Sequence, residues 1–249
     1  MPSVALRNVH VKYQLLSVRD YNLKNRLVQT ARRKFHDPVV IDALRSIDLN
    51  IAEGSRVGLV GANGSGKSTL LSVMAGLLPP TCGTVRVQGR VLALLGGSAA
   101  GLDQEASGRD NIVSMGVQLG ESPRAMRGRI EDIAQFSGLG ERIVHPVYSY
   151  SSGMQARLRF SILTSLRPDV LLLDEGIGTA DAEFTSRANR RLNEFMSSAG
   201  ILVLASHGDA LLQEQCTDAV WLDAGVVSSQ GSVDSVLADY RGSFAAAER

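Results

Sequence analysis

Long apolar runs, a surplus of charge of either sign, cysteine pairs and proline-rich tracts are all missing from this 249-residue chain. No stretch reaches the ~18 uninterrupted apolar residues that cross a bilayer. The longest candidate, Val91 to Leu102, is shorter and is broken by Gly96, Gly97 and Gly101. The N-terminus does not follow the basic-then-apolar order of a secretory signal. The 26 Lys and Arg against 25 Asp and Glu leave a formal charge of +1, which argues against a dedicated nucleic-acid binder with its basic excess. Cys82 and Cys216 form neither a CxxC pair nor a disulfide framework, so a reducing compartment is expected. With 44% hydrophobic residues and 7 prolines, the composition excludes disordered and collagen-like chains. The expectation is a soluble, cytoplasmic protein that reaches any membrane through a partner. Its length suits one large domain, or one core with a subdomain.

The first 100 residues read as short strands: Val4 to Tyr13, Val39 to Leu44, Ser46 to Ile51 and Arg56 to Val60. Thr84 to Gln88 and Val91 to Leu95, joined by Gly89-Arg90, read as a hairpin. From Ser98 to Ser165 the pattern turns helical. Ser122-Pro123 supplies an N-cap and a first-position proline, and Gly138 is the expected stop of that helix. Beyond Pro168, Val170 to Leu173, Ile201 to Ala205 and Ala219 to Leu222 are apolar throughout, as strands covered on both faces would be. A polar helical stretch, Glu183 to Ser197, lies between the first two. Strand–helix–strand order predicts a parallel α/β sheet.

Gly61-Ala62-Asn63-Gly64-Ser65-Gly66-Lys67-Ser68 fits G-x-x-x-x-G-K-[ST], after a strand and before the apolar helical run that starts at Thr69. Glycines let the backbone curl so that successive N–H groups face a polyphosphate, and the helix N-terminus adds its positive end. Lys67 is expected on the β- and γ-phosphates and Ser68 on Mg²⁺. Asp174-Glu175 follows a buried strand, so both acids emerge at the sheet edge where ligands bind in such folds. Adjacent carboxylates in a low-dielectric crevice need a cation. Asp174 is the expected Mg²⁺ ligand, and Glu175 the group that polarises a water for attack on the γ-phosphate. His207 stands two residues past the Ile201 to Ala205 run. It reaches the same rim, where it would sense the γ-phosphate, if that strand neighbours Val170 to Leu173.

Together these motifs resemble the nucleotide-binding subunit of an ABC transporter. The segments are GANGSGKST (61 to 69), VLLLDE (170 to 175), ASH ending at His207, and Tyr150-Ser151-Ser152-Gly153-Met154-Gln155 at the place of the family's signature. The resemblance implies a phosphate-loop α/β core with an antiparallel β subdomain and an inserted helical subdomain at about 98 to 165. It also implies ATP and Mg²⁺ as ligands and a head-to-tail dimer. In that dimer Ser151, Ser152, Gly153 and Met154 of one copy would dock on the γ-phosphate held by the other. Gly178-Thr179-Ala180-Asp181 matches the loop that crosses between copies, with Asp181 as its acid. YSSGM, together with SGRDNI (107 to 112) and DAEF (181 to 184), resembles the subfamily that exports polysaccharides such as O-antigen, capsule and teichoic acid chains. A separate integral membrane permease on the cytoplasmic face of the membrane is therefore the expected partner. An additional C-terminal carbohydrate-binding domain, present in some members, is not expected before the last residue, Arg249.

Two features depart from the family pattern. The usual glutamine after Val91 to Leu95 is replaced by Gly96-Gly97-Ser98-Ala99-Ala100-Gly101, and Gln104 lies too far along to take its place. Tyr13 is the candidate for stacking on adenine, a structural role at a strand edge being the other reading. Lys24, Arg26, Arg32, Arg33 and Lys34 form a basic segment without an acid. Composition alone reads it as a solvated face; the resemblance suggests contact with anionic lipid. Among rival readings, a chromosome-maintenance ATPase would need a long coiled coil. A translation-associated ABC protein would carry two cassettes, and a GTPase an N-K-x-D motif; a small-molecule kinase would not need the signature or His207. Within transport, the alternative is the ATPase subunit of a solute importer or drug exporter.

Overall fold

The computed structural model describes residues 1–15, 39–95, 101–174 and 182–247. Two sheets form the frame. A three-stranded antiparallel sheet has the order β2-β1-β4, from β1 (Ser3–Leu15), β2 (Val39–Ala52) and β4 (Cys82–Gln88). A six-stranded sheet has the order β5-β6-β7-β3-β8-β9, built from β5 (Val91–Leu94), β6 (Val170–Asp174), β7 (Ile201–Ala205), β3 (Arg56–Val60), β8 (Asp218–Asp223) and β9 (Val226–Ser232). All its neighbours are parallel except β8 and β9, which form a hairpin.

Apolar residues on both faces of β6 and β7 serve two separate cores. Val170 and Leu172 face the layer with α1 (Lys67–Met74) and the antiparallel sheet. Leu171 and Leu173 face the opposite layer, shared with the helical region and α8 (Val233–Ala247). Period-two alternation thus places consecutive residues in different cores, which is why these runs show no polar positions.

Between β5 and β6 lie α2 (Gly108–Gln118), α3 (Pro123–Gly128), α4 (Ile130–Phe136), two short 3-10 turns (Gly140–Val144 and Val147–Ser149) and α5 (Ser152–Leu163). After β6 come α6 (Ala182–Ser198) and, after β7, α7 (Asp209–Gln215). Among the described residues no helix is long and apolar enough to cross a membrane.

Three local expectations are corrected. Thr84–Gln88 and Val91–Leu95 do not form a hairpin: β4 pairs with β1, and β5 lies parallel to β6 in the other sheet. The chain changes sheets at Gly89, whose φ of 102° and missing side chain admit Asp169, only 2.7 Å from where a Cβ would stand. The carboxylate of Asp169 then accepts the Arg90 N–H at 2.7 Å. The helix opened by Ser122 ends at Gly128, and Gly138 (φ 71°) stops α4 instead. Finally, the two runs from Val39 to Ile51 are one strand, interrupted by Ser46 at φ 51°, where its hydroxyl donates to Asn8 Oδ1 at 2.9 Å.

Candidate nucleotide site

The phosphate loop leaves β3 at Val60 and enters α1 at Lys67. Gly61 takes φ 148°, and a Cβ there would lie 2.2 Å from Leu222 O; Gly66 takes φ 107°, with Ala43 O at 2.8 Å from its Cβ position. Both positions therefore require glycine for conformation and for space. The α1 N-cap is Gly66, without a side-chain cap, and the first turn carries no acid. The positive end of the helix is left to an external anion. Lys67 is only 8% exposed, and its ammonium donates to Gly61 O at 2.6 Å and Ala62 O at 3.0 Å. Ser65 Oγ, buried inside the loop, has no partner among the described residues.

Beside this loop opens a cavity of about 620 Å³, lined by Asn63, Gly64, Ser65, Gly66, Lys67, Ser68 and Thr69. Its volume falls in the ordinary range for small-molecule sites. Asp174 and His207 lie on its wall. The register explains their meeting: β6 and β7 are neighbours with Asp174 opposite Ala205, so His207 follows at the same rim. Among the described residues no group of three His, Cys, Asp or Glu could hold a metal. Ser68 and Asp174 both line the cavity.

The other wall comes from the antiparallel sheet: Tyr13, Ile41, Asp42, Ala43 and Arg45. Tyr13 is 39% exposed, faces Ile41 across β1–β2, and has its hydroxyl 3.5 Å from Thr69 Oγ1. Arg45 donates from Nη2 to Ala224 O at 2.6 Å, and Lys12 pairs with Asp42 at 3.3 Å. The sequence reading missed Ile41, Asp42 and Arg45. They share no motif with the loop, and only the pairing of β1 with β2 brings them to it.

The YSSGMQ segment does not line this cavity. Ser151 is the N-cap of α5, accepting from the Met154 N–H at 3.3 Å; Ser151 and Ser152 are exposed, and Gly153 and Met154 half-buried. Gln104 also stays away from the cavity. Its amide exchanges hydrogen bonds with the Gln155 amide at 3.3–3.4 Å, at the foot of α5. Asn111 of SGRDNI, also missed as a working residue, is a buried clip. It accepts the Asp103 N–H at 2.7 Å and donates to Asp103 O, Ala106 O and Ser107 O. Glu175, Gly178 to Asp181, the basic segment 24 to 34 and Gly96 to Ala100 lie outside the described residues.

The family described as "ABC transporter" matches residues 44–178. An O-antigen export system ATP-binding protein of Yersinia enterocolitica is 37% identical over 91% of this chain and 97% of its own length. The chain belongs to the ABC transporter family. Another O-antigen export system ATP-binding protein, from Myxococcus xanthus, is 37% identical over 100% of the chain, which spans 57% of that relative's length. A teichoic acids export ATP-binding protein of Bacillus cereus is 35% identical over 96% of the chain, which spans 42% of that relative. Among solved structures, a dimeric ATP-binding cassette bound to ADP and Pi superposes with TM-score 0.65 at 19% identity, covering 92% of this chain and 98% of that one. An ATP-binding subunit of an ABC transporter gives TM-score 0.69 at 20% identity, covering 95% and 92%. The fold of this ABC protein is thus the phosphate-loop ATPase cassette, with an antiparallel β subdomain beside the mainly parallel sheet.

Proposed function

We propose that this ABC protein binds ATP with Mg²⁺ and hydrolyses it as one half of a head-to-tail pair. The pair powers export of a polysaccharide or lipid-linked glycan through a separate membrane permease, on the cytoplasmic face of the membrane. One observation carries the reading. The phosphate loop, Asp174 and His207 share one cavity, while Ser151 and Gly153 stand outside it at the surface, open to a second copy. The names of the relatives from Yersinia, Myxococcus and Bacillus support the cargo class.

In this reading the loop N–H groups and Lys67 grip the β- and γ-phosphates, and Tyr13 stacks on the base. Ser68 and Asp174 would hold Mg²⁺, which when bound supplies the charge that offsets the phosphates. Glu175 orients and polarises the attacking water, and His207 bonds the γ-phosphate. Ser151, Ser152, Gly153 and Met154 of the second copy complete the grip, with Asp181 at the crossing loop. Residues 24 to 34 would touch anionic lipid beside the permease.

The test is a pair of variants. Glu175→Gln is expected to keep ATP affinity, lose about 10²–10⁴-fold in turnover as a missing general base does, and form a stable dimer only with ATP. Lys67→Ala is expected to lose nucleotide binding. Wild-type turnover in the first, or unchanged ATP affinity in the second, overturns the assignment. Accumulation of unexported glycan in cells lacking the chain tests the cargo.

A further inference from the structure

Tyr150, the residue that opens the YSSGM segment, is tied down at three points. Its ring is buried, 6% exposed, in the core of the helical region. Its hydroxyl donates to Arg142 O at 2.7 Å, with His145 O at 3.1 Å. Its own N–H donates to Val147 O at 2.9 Å, and its carbonyl accepts from Gln155 Nε2 at 3.3 Å. The next residue, Ser151, caps α5. The bonds of Tyr150 therefore anchor the chain one residue behind the exposed edge of this segment, and the Ser151 cap fixes the edge to α5.

The surroundings are shaped to admit a hydroxyl. Gly108, the first residue of α2, donates its N–H to His145 O at 3.2 Å. A Cβ on Gly108 would stand 2.6 Å from Tyr150 Oη and 2.9 Å from Ile143 Cδ1. Gly108 has an ordinary φ, so space is the reason for glycine there. Burial raises the phenol above its ordinary value of 10.0, opposed in part by the Gly108 amide. The hydroxyl stays protonated and remains a donor at neutral pH.

We infer that Tyr150 is a positioning residue for ATP hydrolysis. Through its hydroxyl on the Arg142–His145 turn, and the space left by Gly108, it holds Ser151 and Gly153 in the attitude that engages the second copy's nucleotide. A phenylalanine would fill the same apolar volume but lose the hydroxyl's bonds to Arg142 O and His145 O, leaving the residue free to shift by the fraction of an ångström that hydrogen bonds to phosphate do not tolerate. Arg142 O also accepts from the His145 N–H, and His145 O from the Gly108 N–H. Neither carbonyl is orphaned when the hydroxyl is removed, so Tyr150→Phe tests position with little damage to the fold.

This inference rests on the proposed function, and the experiment separates the two. Dimer formation by purified Glu175→Gln with ATP is measured by sedimentation, with and without Tyr150→Phe, alongside nucleotide affinity at concentrations where the chain is monomeric. Tyr150→Phe is expected to leave monomer affinity within twofold. It should weaken the ATP-driven dimer by about 3- to 10-fold, the scale of one lost hydrogen bond, and lower turnover similarly in the otherwise wild-type chain. Gly108→Ala is expected to do the same, and its effect should shrink when combined with Tyr150→Phe, because the steric conflict with the hydroxyl is gone. A purely structural tyrosine would instead lower the melting temperature and leave the dimer constant and turnover at wild-type values, which overturns the inference. If ATP drives no dimer in Glu175→Gln itself, both the function and the inference fall.

Discussion

Gly61, Gly66 and Gly153 are glycine for different reasons. At the first two, this chain's own carbonyls leave no room for a Cβ; at Gly153 the nearest atom to a Cβ would be Ser151 Oγ, at 4.0 Å. Among the described residues nothing crowds a side chain at 153. The cysteines make a similar contrast. Cys82 is exposed, whereas Cys216 is buried and its thiol is pushed up from 9.0 to about 12, chiefly by burial, with Arg56 opposing and Asp218 adding to the rise. Alkylation at pH 8 is expected to modify Cys82 alone, Cys216 reacting only in denaturant; mass spectrometry after iodoacetamide distinguishes them. The linkage follows the same sign. The unfolded thiol ionises first, so the contribution of Cys216 to stability is intact below about pH 9 and is lost as pH rises toward about 12.

Elements differ in how they are held. α3 begins as its sequence predicts, with the Ser122 hydroxyl accepting the Ala125 N–H at 3.1 Å and Pro123 at the first position. A local cap of this kind contributes about 1 kcal/mol. The turn leading into α2 is held by Asn111, whose side chain is 1% exposed and bonds four backbone groups. Asn111→Ala removes both bonds to the Asp103 backbone, while Ala106 O and Ser107 O keep the Val147 and residue-111 N–H groups, and is expected to cost about 2–3 kcal/mol. Ser122→Ala, whose site stays open to water, is expected to cost about 1 kcal/mol. Urea unfolding of both variants orders the two, and equal midpoints would show that Asn111 does not carry the turn. The helix N-cap was legible because its chemistry is contained in four consecutive residues. The role of Asn111 was not, because its acceptors become one cluster only when the chain from Asp103 folds back on α2.

At the scale of the whole molecule, the proposed clamp divides each site between two copies: phosphate loop from one, Ser151 and Gly153 from the other. This yields a mixing test. A copy carrying Lys67→Ala and a copy carrying Gly153→Glu, mixed, can assemble one intact site. A copy carrying both changes, mixed with wild type, leaves an intact half opposite a defective one at each site. Nucleotide retained by mixed dimers in the Glu175→Gln background is expected in the first mixture only. Retention in the second mixture only would show that each chain completes its own site, and retention in both that Gly153 is not needed to hold the nucleotide.

The sequence alone determined the phosphate loop, the buried strands and the helix start at Ser122. Each depends on neighbours within a few residues: glycine where φ is positive, apolar side chains where both faces are covered, a hydroxyl where the first N–H groups need an acceptor. Tertiary structure decided the rest. It sent β4 and β5 to different sheets at Gly89, where room for Asp169 is a contact across 80 residues of chain. It laid Ile41, Asp42 and Arg45 along the nucleotide cavity through the β1–β2 pairing, and it set Asp174 beside the strand that carries His207 to the same rim. Those placements come from distant backbone segments sharing hydrogen bonds and burying a common core, and no local pattern of residues encodes which segments will meet.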